Sequence, residues 1–139
     1  MISLEQYRES SPLLSRAWDI RTTCFDPVFT SYHPGMFRIN GVLGQYRAIS
    51  ITGHDCELNC LHCQGKLLQG MANGHSSSAF KSTCRRWMEK SIPGILVSGG
   101  CDRQGHLPWH TYLPLIKELN LSTHMHLSIH MGLADRHII

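Results

Sequence analysis

The sequence predicts an α/β domain built on a parallel sheet of βαβ units, and three observations predict it. Tyr46 to Thr52 (YRAISIT) and His124 to His130 alternate as strands, with a short apolar strand, Ile95 to Ser98, between them. Phe80, Cys84, Trp87 and Met88 recur at helical spacing, as do Leu113, Ile116 and Leu119. The resulting order is strand, helix, strand, helix, strand, with connections long enough for crossovers, which parallel pairing needs.

Each element has its own reasons. Ser11-Pro12 reads as an N-cap followed by proline at the first helical position, and Leu13, Leu14, Ala17 and Trp18 keep helical spacing. Asp26-Pro27 ends that pattern, because the residue before proline is pushed out of the helical region. Residues 27–45 contain Pro34, Gly35, Gly41 and Gly44 and read as an irregular approach segment. In the first strand Arg47, Ile49 and Ile51 share one face, and Ala48, Ser50 and Thr52 the other. Gly53 opens a cysteine-bearing loop, and Ser76 to Ser78 start the next helix. Pro93-Gly94 separates that helix from Ile95–Ser98, which runs into Gly99-Gly100. Thr111 is the expected cap of the second helix, with Pro114 in its first turn, where it is tolerated. On the last strand His124, His126, Ser128 and His130 face one way, and Met125, Leu127 and Ile129 the other. Small polar residues on one face of the first strand and histidines on the last fit a lumen holding something polar.

The chain has 139 residues, 42% hydrophobic and 17% charged, as one globular domain requires. A net charge of +3 with scattered basic residues argues for no nucleic-acid partner and no membrane surface. No apolar run approaches the roughly 20 residues that span a bilayer. The start MISLEQYRESS is polar where an export signal is apolar, so a reducing, cytoplasmic location is expected.

Of six cysteines, Cys56, Cys60 and Cys63 fall together in Cys-Glu-Leu-Asn-Cys-Leu-His-Cys, a C-x3-C-x2-C spacing. Without an export signal, such a group points to metal rather than to disulfides. Three thiolates can hold three irons of a [4Fe–4S] cube and leave the fourth iron open, which suits chemistry better than electron transfer. The alternative is a structural zinc-binding module, closed by His54 or His62 as fourth ligand.

This loop resembles the signature of the radical S-adenosylmethionine (radical SAM) superfamily, C-x3-C-x-aromatic-C, with His62 at the aromatic position. Val97-Ser98-Gly99-Gly100 is similar to that family's glycine-rich turn, with Cys101 where the family often has Glu. The stretches SITGHDCELNCLHCQGKLLQGM, LVSGGCDRQGHLP and HLSIHMGLADR look most like the biotin-synthase-related branch, over about residues 30–139. The resemblance implies a partial (β/α) barrel of radical SAM type. It implies that Cys56, Cys60 and Cys63 bind a [4Fe–4S] cluster. It also implies that S-adenosylmethionine binds the open iron beside His62, Ser98, Gly99, Gly100 and His130. Cleavage to methionine and a 5′-deoxyadenosyl radical would then serve sulfur insertion or related C–H activation, since the branch includes biotin synthase, hydrogenase-maturation enzymes and a two-component lipoyl synthase. An electron donor of flavodoxin or ferredoxin type is implied, with the substrate unknown.

A radical SAM core needs six βα units, and about three are counted here. The expectation is therefore a helical and irregular extension over residues 1–45. Residues 46–139 would form the N-terminal half of the barrel, truncated after LADRHII, with a degenerate product or completion by another chain as alternatives. His124, His126 and His130 are not expected to share a metal, because alternate strand residues stand about 7 Å apart. Asp102 and Arg103 are either site neighbours or solvated loop residues. Cys84 reads as core, Cys24 carries no assignment, Cys101 reads as a loop residue without a role in preference to a reactive thiol, and Trp18, Trp87 and Trp109 read as packing residues.

Overall fold

The computed structural model describes residues 11–29 and 37–134, together with Glu5, Ser31, His33 and Gly35. Pro34 of the approach segment, most of the first ten residues and the end of LADRHII lie outside the described residues. The chain divides into two compact units, Met1–Ser31 and Tyr32–Ile139.

In the first unit helix α1 spans Pro12–Cys24, with Ser11 at the N-cap and Pro12 at its first position. The Ser15 N–H donates to the Ser11 carbonyl at 3.1 Å, while the Ser11 side chain makes no capping bond. Past the helix, the Arg21 guanidinium donates to the carbonyls of Phe25 and Val28 at 3.0 and 3.3 Å. None of the α1 residues is buried, and Trp18, expected to pack, is 49% exposed.

The second unit opens with a hairpin, β1 (Arg38–Ile39) and β2 (Val42–Leu43), paired antiparallel with Arg38 opposite Leu43. Asn40 and Gly41 turn between them at φ of 50° and 80°, both positive as a two-residue hairpin turn requires. This corrects the irregular reading of residues 27–45. The sheet itself consists of β3 (Arg47–Ser50), β4 (Ala72–Asn73), β5 (Gly94–Ser98) and β6 (His126–Ile129), in the order β4-β3-β5-β6, all parallel. It is a mixed α/β fold with an open parallel sheet, and β4 and β6 are its edges among the described residues.

Registry separates the two faces. Ser50 pairs with Ser98, and Leu96 with Ser128. Ile49, Ile51, Ile95 and Val97 are essentially inaccessible and join one core with residues of two helices. These are α3 (Ser77–Glu89), contributing Phe80, Cys84 and Trp87, and α4 (Trp109–Ser122), contributing Trp109, Tyr112, Ile116 and Leu119. Phe80 and Tyr112 meet edge to face at 5.6 Å. The other face carries the polar row that the alternation predicts: Tyr46 Oη lies 2.8 Å from Ser128 Oγ, and Ser50 and Ser98 are buried.

Helix α3 starts as its sequence says, with the Ser76 hydroxyl accepting from the Ala79 N–H at 3.2 Å. Helix α4 does not. It begins at Trp109, two residues before the expected Thr111 cap, so Pro114 lies inside the helix rather than in its first turn. The buried Trp109 sets this start: its indole N–H donates to the Met131 carbonyl at 2.8 Å, and its ring is fully enclosed. The short helix α2 (Lys66–Gln69) and strand β4 were not expected. No helix among the described residues is long and apolar enough to cross a membrane.

Candidate functional site

The cysteine loop and the glycine turn leave the C-terminal ends of β3 and β5, which are neighbours in register, so the two segments meet. The Ile51 N–H still donates to the Ser98 carbonyl at 2.8 Å, one residue past β3. Thr52 then joins the two. Its hydroxyl oxygen accepts from the Gly100 N–H at 2.7 Å and donates to the Asp55 carbonyl at 3.0 Å. Gly53, at a φ of 63°, reverses the chain, and the Glu57 N–H donates to the Cys101 carbonyl at 2.8 Å.

Further along, the Cys60 carbonyl accepts from the N–H groups of Cys63 and Gln64 at 3.2 and 2.8 Å. The Cys63 carbonyl in turn accepts from Lys66 at 2.8 Å. Cys60 and Cys63 are therefore held in one turn that feeds α2. All three loop cysteines are half-buried, as is Cys101, and none is in a disulfide.

Glycine at position 100 has a reason that the sequence reading did not supply. A Cβ there would overlap the Asp55 carbonyl oxygen and stand 2.5 Å from the Cys56 Cβ. The loop backbone itself occupies that space, so the close approach glycine permits is by protein. At Gly99 a Cβ would stand 3.0 Å from both the Thr52 hydroxyl and a Leu107 methyl.

Cys101, expected to be a loop residue without a role rather than a reactive thiol, lies beside the cysteine loop. Burial pushes its thiol pKa up, and the neighbouring Cys56, Asp102 and Cys60 push in the same direction. A cleft of about 280 Å³ is lined by Cys56 and Cys101 together with Thr52, Asp55, Asp102 and His106 among others. Asp102 organises the wall: its carboxylate accepts from the backbone N–H groups of Gln104 and His106, both at 2.9 Å. The His106 N–H holds this carboxyl below the usual range, assisted by Gln104, the His106 ring and Gly105 and opposed by desolvation. Arg103 extends outward to Glu57 at 3.5 Å, and both side chains are mostly exposed.

Two other expected site residues also come together. Ser98 Oγ lies 3.1 Å from His130 Nδ1, and the His130 N–H donates to the Val97 carbonyl at 3.0 Å. Ser98 is buried, while the His130 side chain is exposed at the sheet end. His62 and His54 are both exposed on the loop. Thr52, which the sequence reading took only as an inner-face residue, proves to be the joint of the site. The signal was its place at the end of a polar strand face, one residue before Gly53.

Among the described residues, no three His, Cys, Asp or Glu side chains are gathered around a point that could hold one metal ion. The donor set still has a definite chemistry. Three half-buried thiols at the end of a parallel strand are soft ligands, which suit iron–sulfur clusters and zinc. A cube takes its thiolates on separate irons, so its ligands do not converge as those of a single ion do. The residues fit such a cluster.

No family model matches the chain, and neither a curated protein nor a solved structure shows significant similarity to it.

Proposed function

We propose that the chain is part of a radical SAM enzyme of the biotin-synthase-related kind, with its sheet forming a section of a (β/α) barrel. In this reading Cys56, Cys60 and Cys63 hold a [4Fe–4S] cluster. S-adenosylmethionine lies beside His62, the Ser98–Gly100 turn and His130. One observation carries the reading: a three-cysteine loop and a Gly-Gly turn, bonded to each other through Thr52, crown the C-terminal ends of adjacent parallel strands. In α/β folds that end of the sheet is where ligands bind.

Cys56, Cys60 and Cys63 would hold the cluster, which would supply the one-electron reduction needed to cleave S-adenosylmethionine for hydrogen-atom abstraction from a substrate. The chain's own residues position and shield. Thr52 fixes the glycine turn against the loop. Ser98 and His130 present a polar pair at the strand ends. Leu107, buried under Gly99, closes the floor. An electron donor of flavodoxin or ferredoxin type and a reducing, cytoplasmic compartment go with this chemistry, and the reaction class proposed is C–H activation, with sulfur insertion as one form of it.

The test is anaerobic reconstitution of the whole chain with iron and sulfide. The reading expects a brown protein with about four irons and four sulfides per chain. Its reduced EPR signal should change on addition of S-adenosylmethionine. Cys→Ala at 56, 60 or 63 should abolish the cluster, while Cys84→Ala keeps it. A colourless protein holding one tightly bound zinc would replace this reading with the zinc module. Loss of the cluster in Cys84→Ala with retention in Cys60→Ala would overturn the ligand assignment.

A further inference from the structure

We propose that a cleft at the N-terminal end of the sheet, opposite the cysteine loop, binds a phosphate group through Arg47, Arg86 and Lys90. The cleft measures about 400 Å³ and also takes in Ala72, Trp87 and Ile92. Arg47 opens β3, Arg86 lies in the last turn of α3, and Lys90 is that helix's C-cap. Two separate stretches of chain, a strand start and a helix end, thus bring three cations to one concavity, whose lining among the described residues contains no carboxylate.

Ordinary explanations account for only part of this. Cations in the last turn of a helix are favoured by its dipole, which suffices for Arg86 and Lys90. It does not explain Arg47, a half-buried strand residue. No side-chain hydrogen bond or ion pair joins any of the three to the described residues. A Cβ on Gly35 would stand 3.1 Å from the Arg47 Cδ, so the glycine leaves room for that stem. Three like charges facing one space repel one another until an anion enters.

The number of charges selects the anion. A carboxylate would neutralise one cation, whereas a phosphate group carries about −1.5 to −2 and offers three acceptor oxygens to the forks of two guanidinium groups. The cleft is roomier than bare phosphate needs, and its apolar lining suits the organic part of a small phosphomonoester. Free phosphate and a phosphomonoester share the recognised chemistry.

Calorimetric titration of the whole chain at low salt, with inorganic phosphate and separately with ribose 5-phosphate, tests this. Saturable binding is expected, with the ester tighter than the free ion if the apolar lining contributes and equal to it if free phosphate is the occupant. Arg47→Gln should weaken binding by at least about tenfold, the loss expected for a charge-assisted hydrogen bond. Circular dichroism checks that this variant folds. The exposed double variant Arg86→Gln/Lys90→Gln provides an independent test of the same loss. Lys81→Gln, which breaks only the 2.9 Å pair with Glu118 on the helices, should bind as the parent does. Absence of saturable binding by either probe would overturn the proposal, as would parental affinity in both the Arg47 and the double variant.

Discussion

At the scale of single residues, Gly100 and Cys84 show how packing sets chemistry. The space a Cβ at Gly100 would need is held by Asp55 and Cys56, so even Gly100→Ala must displace the loop backbone at Cys56, the first of the proposed cluster ligands. Overpacking of this kind costs about 1–3 kcal/mol. The expected outcome is a lower urea midpoint together with less iron retained per chain after desalting, and not merely a lost response to S-adenosylmethionine. Cys84 titrates above its ordinary range, because burial on the core-facing side of α3 pushes its thiol from 9.0 up to about 11. The folded chain therefore keeps a proton that the unfolded chain releases. This contribution to stability is whole below pH 9 and is lost as pH rises toward 11. Urea midpoints of the metal-free, reduced protein should fall over that window, and Cys84→Ala should flatten the decline.

Among the elements, α4 holds a correctable defect. Pro114 has no N–H to give the His110 carbonyl, and it lies beyond the first turn, where that loss matters. Proline in a helix interior is about 3 kcal/mol worse than alanine, less about 0.4–1 kcal/mol for the stiffness it lends the unfolded chain. Pro114→Ala should therefore stabilise by about 2 kcal/mol, read as a raised urea midpoint with an unchanged slope. The same helix marks where sequence reasoning stops. Its apolar spacing was legible, but its start is fixed by Trp109 reaching Met131, a tertiary contact that no local signal carries. Strand β4 fails for a similar reason: two residues become a strand only because β3 offers them an edge. The hairpin at Asn40-Gly41 was legible, since that dipeptide between Arg38-Ile39 and Val42-Leu43 is a strong turn signal. Surrounding prolines and glycines made the segment read as irregular. In the site, the grouping of the three cysteines was legible from spacing, whereas the glycine turn, Ser98 and His130 were named only through the resemblance, and the contact between Ser98 and His130 was not foreseen. Nor was the approach of Cys101 to Cys56, because it depends on β5 lying next to β3.

For the whole molecule, the sheet ends at β4 and β6 among the described residues, so no closed barrel surrounds its polar face. A cluster loop needs only β3 and its own turns, whereas a radical needs walls that keep water and stray donors away. The 139-residue chain should therefore reconstitute a cluster yet release 5′-deoxyadenosine slowly, uncoupled from any product, in a reduced anaerobic assay. Multiple-turnover release coupled to a product would show that these residues alone enclose the reaction.

One hydroxyl also has a thermodynamic consequence. Thr52 is bonded at once to the glycine turn and to the cysteine loop, so ordering either segment reduces the entropy left to lose in the other. On the proposed reading, a ligand at the loop would then tighten a ligand at the turn, and by linkage the second would tighten the first by the same factor. A side chain of three heavy atoms would thereby join two binding equilibria into one coupled pair.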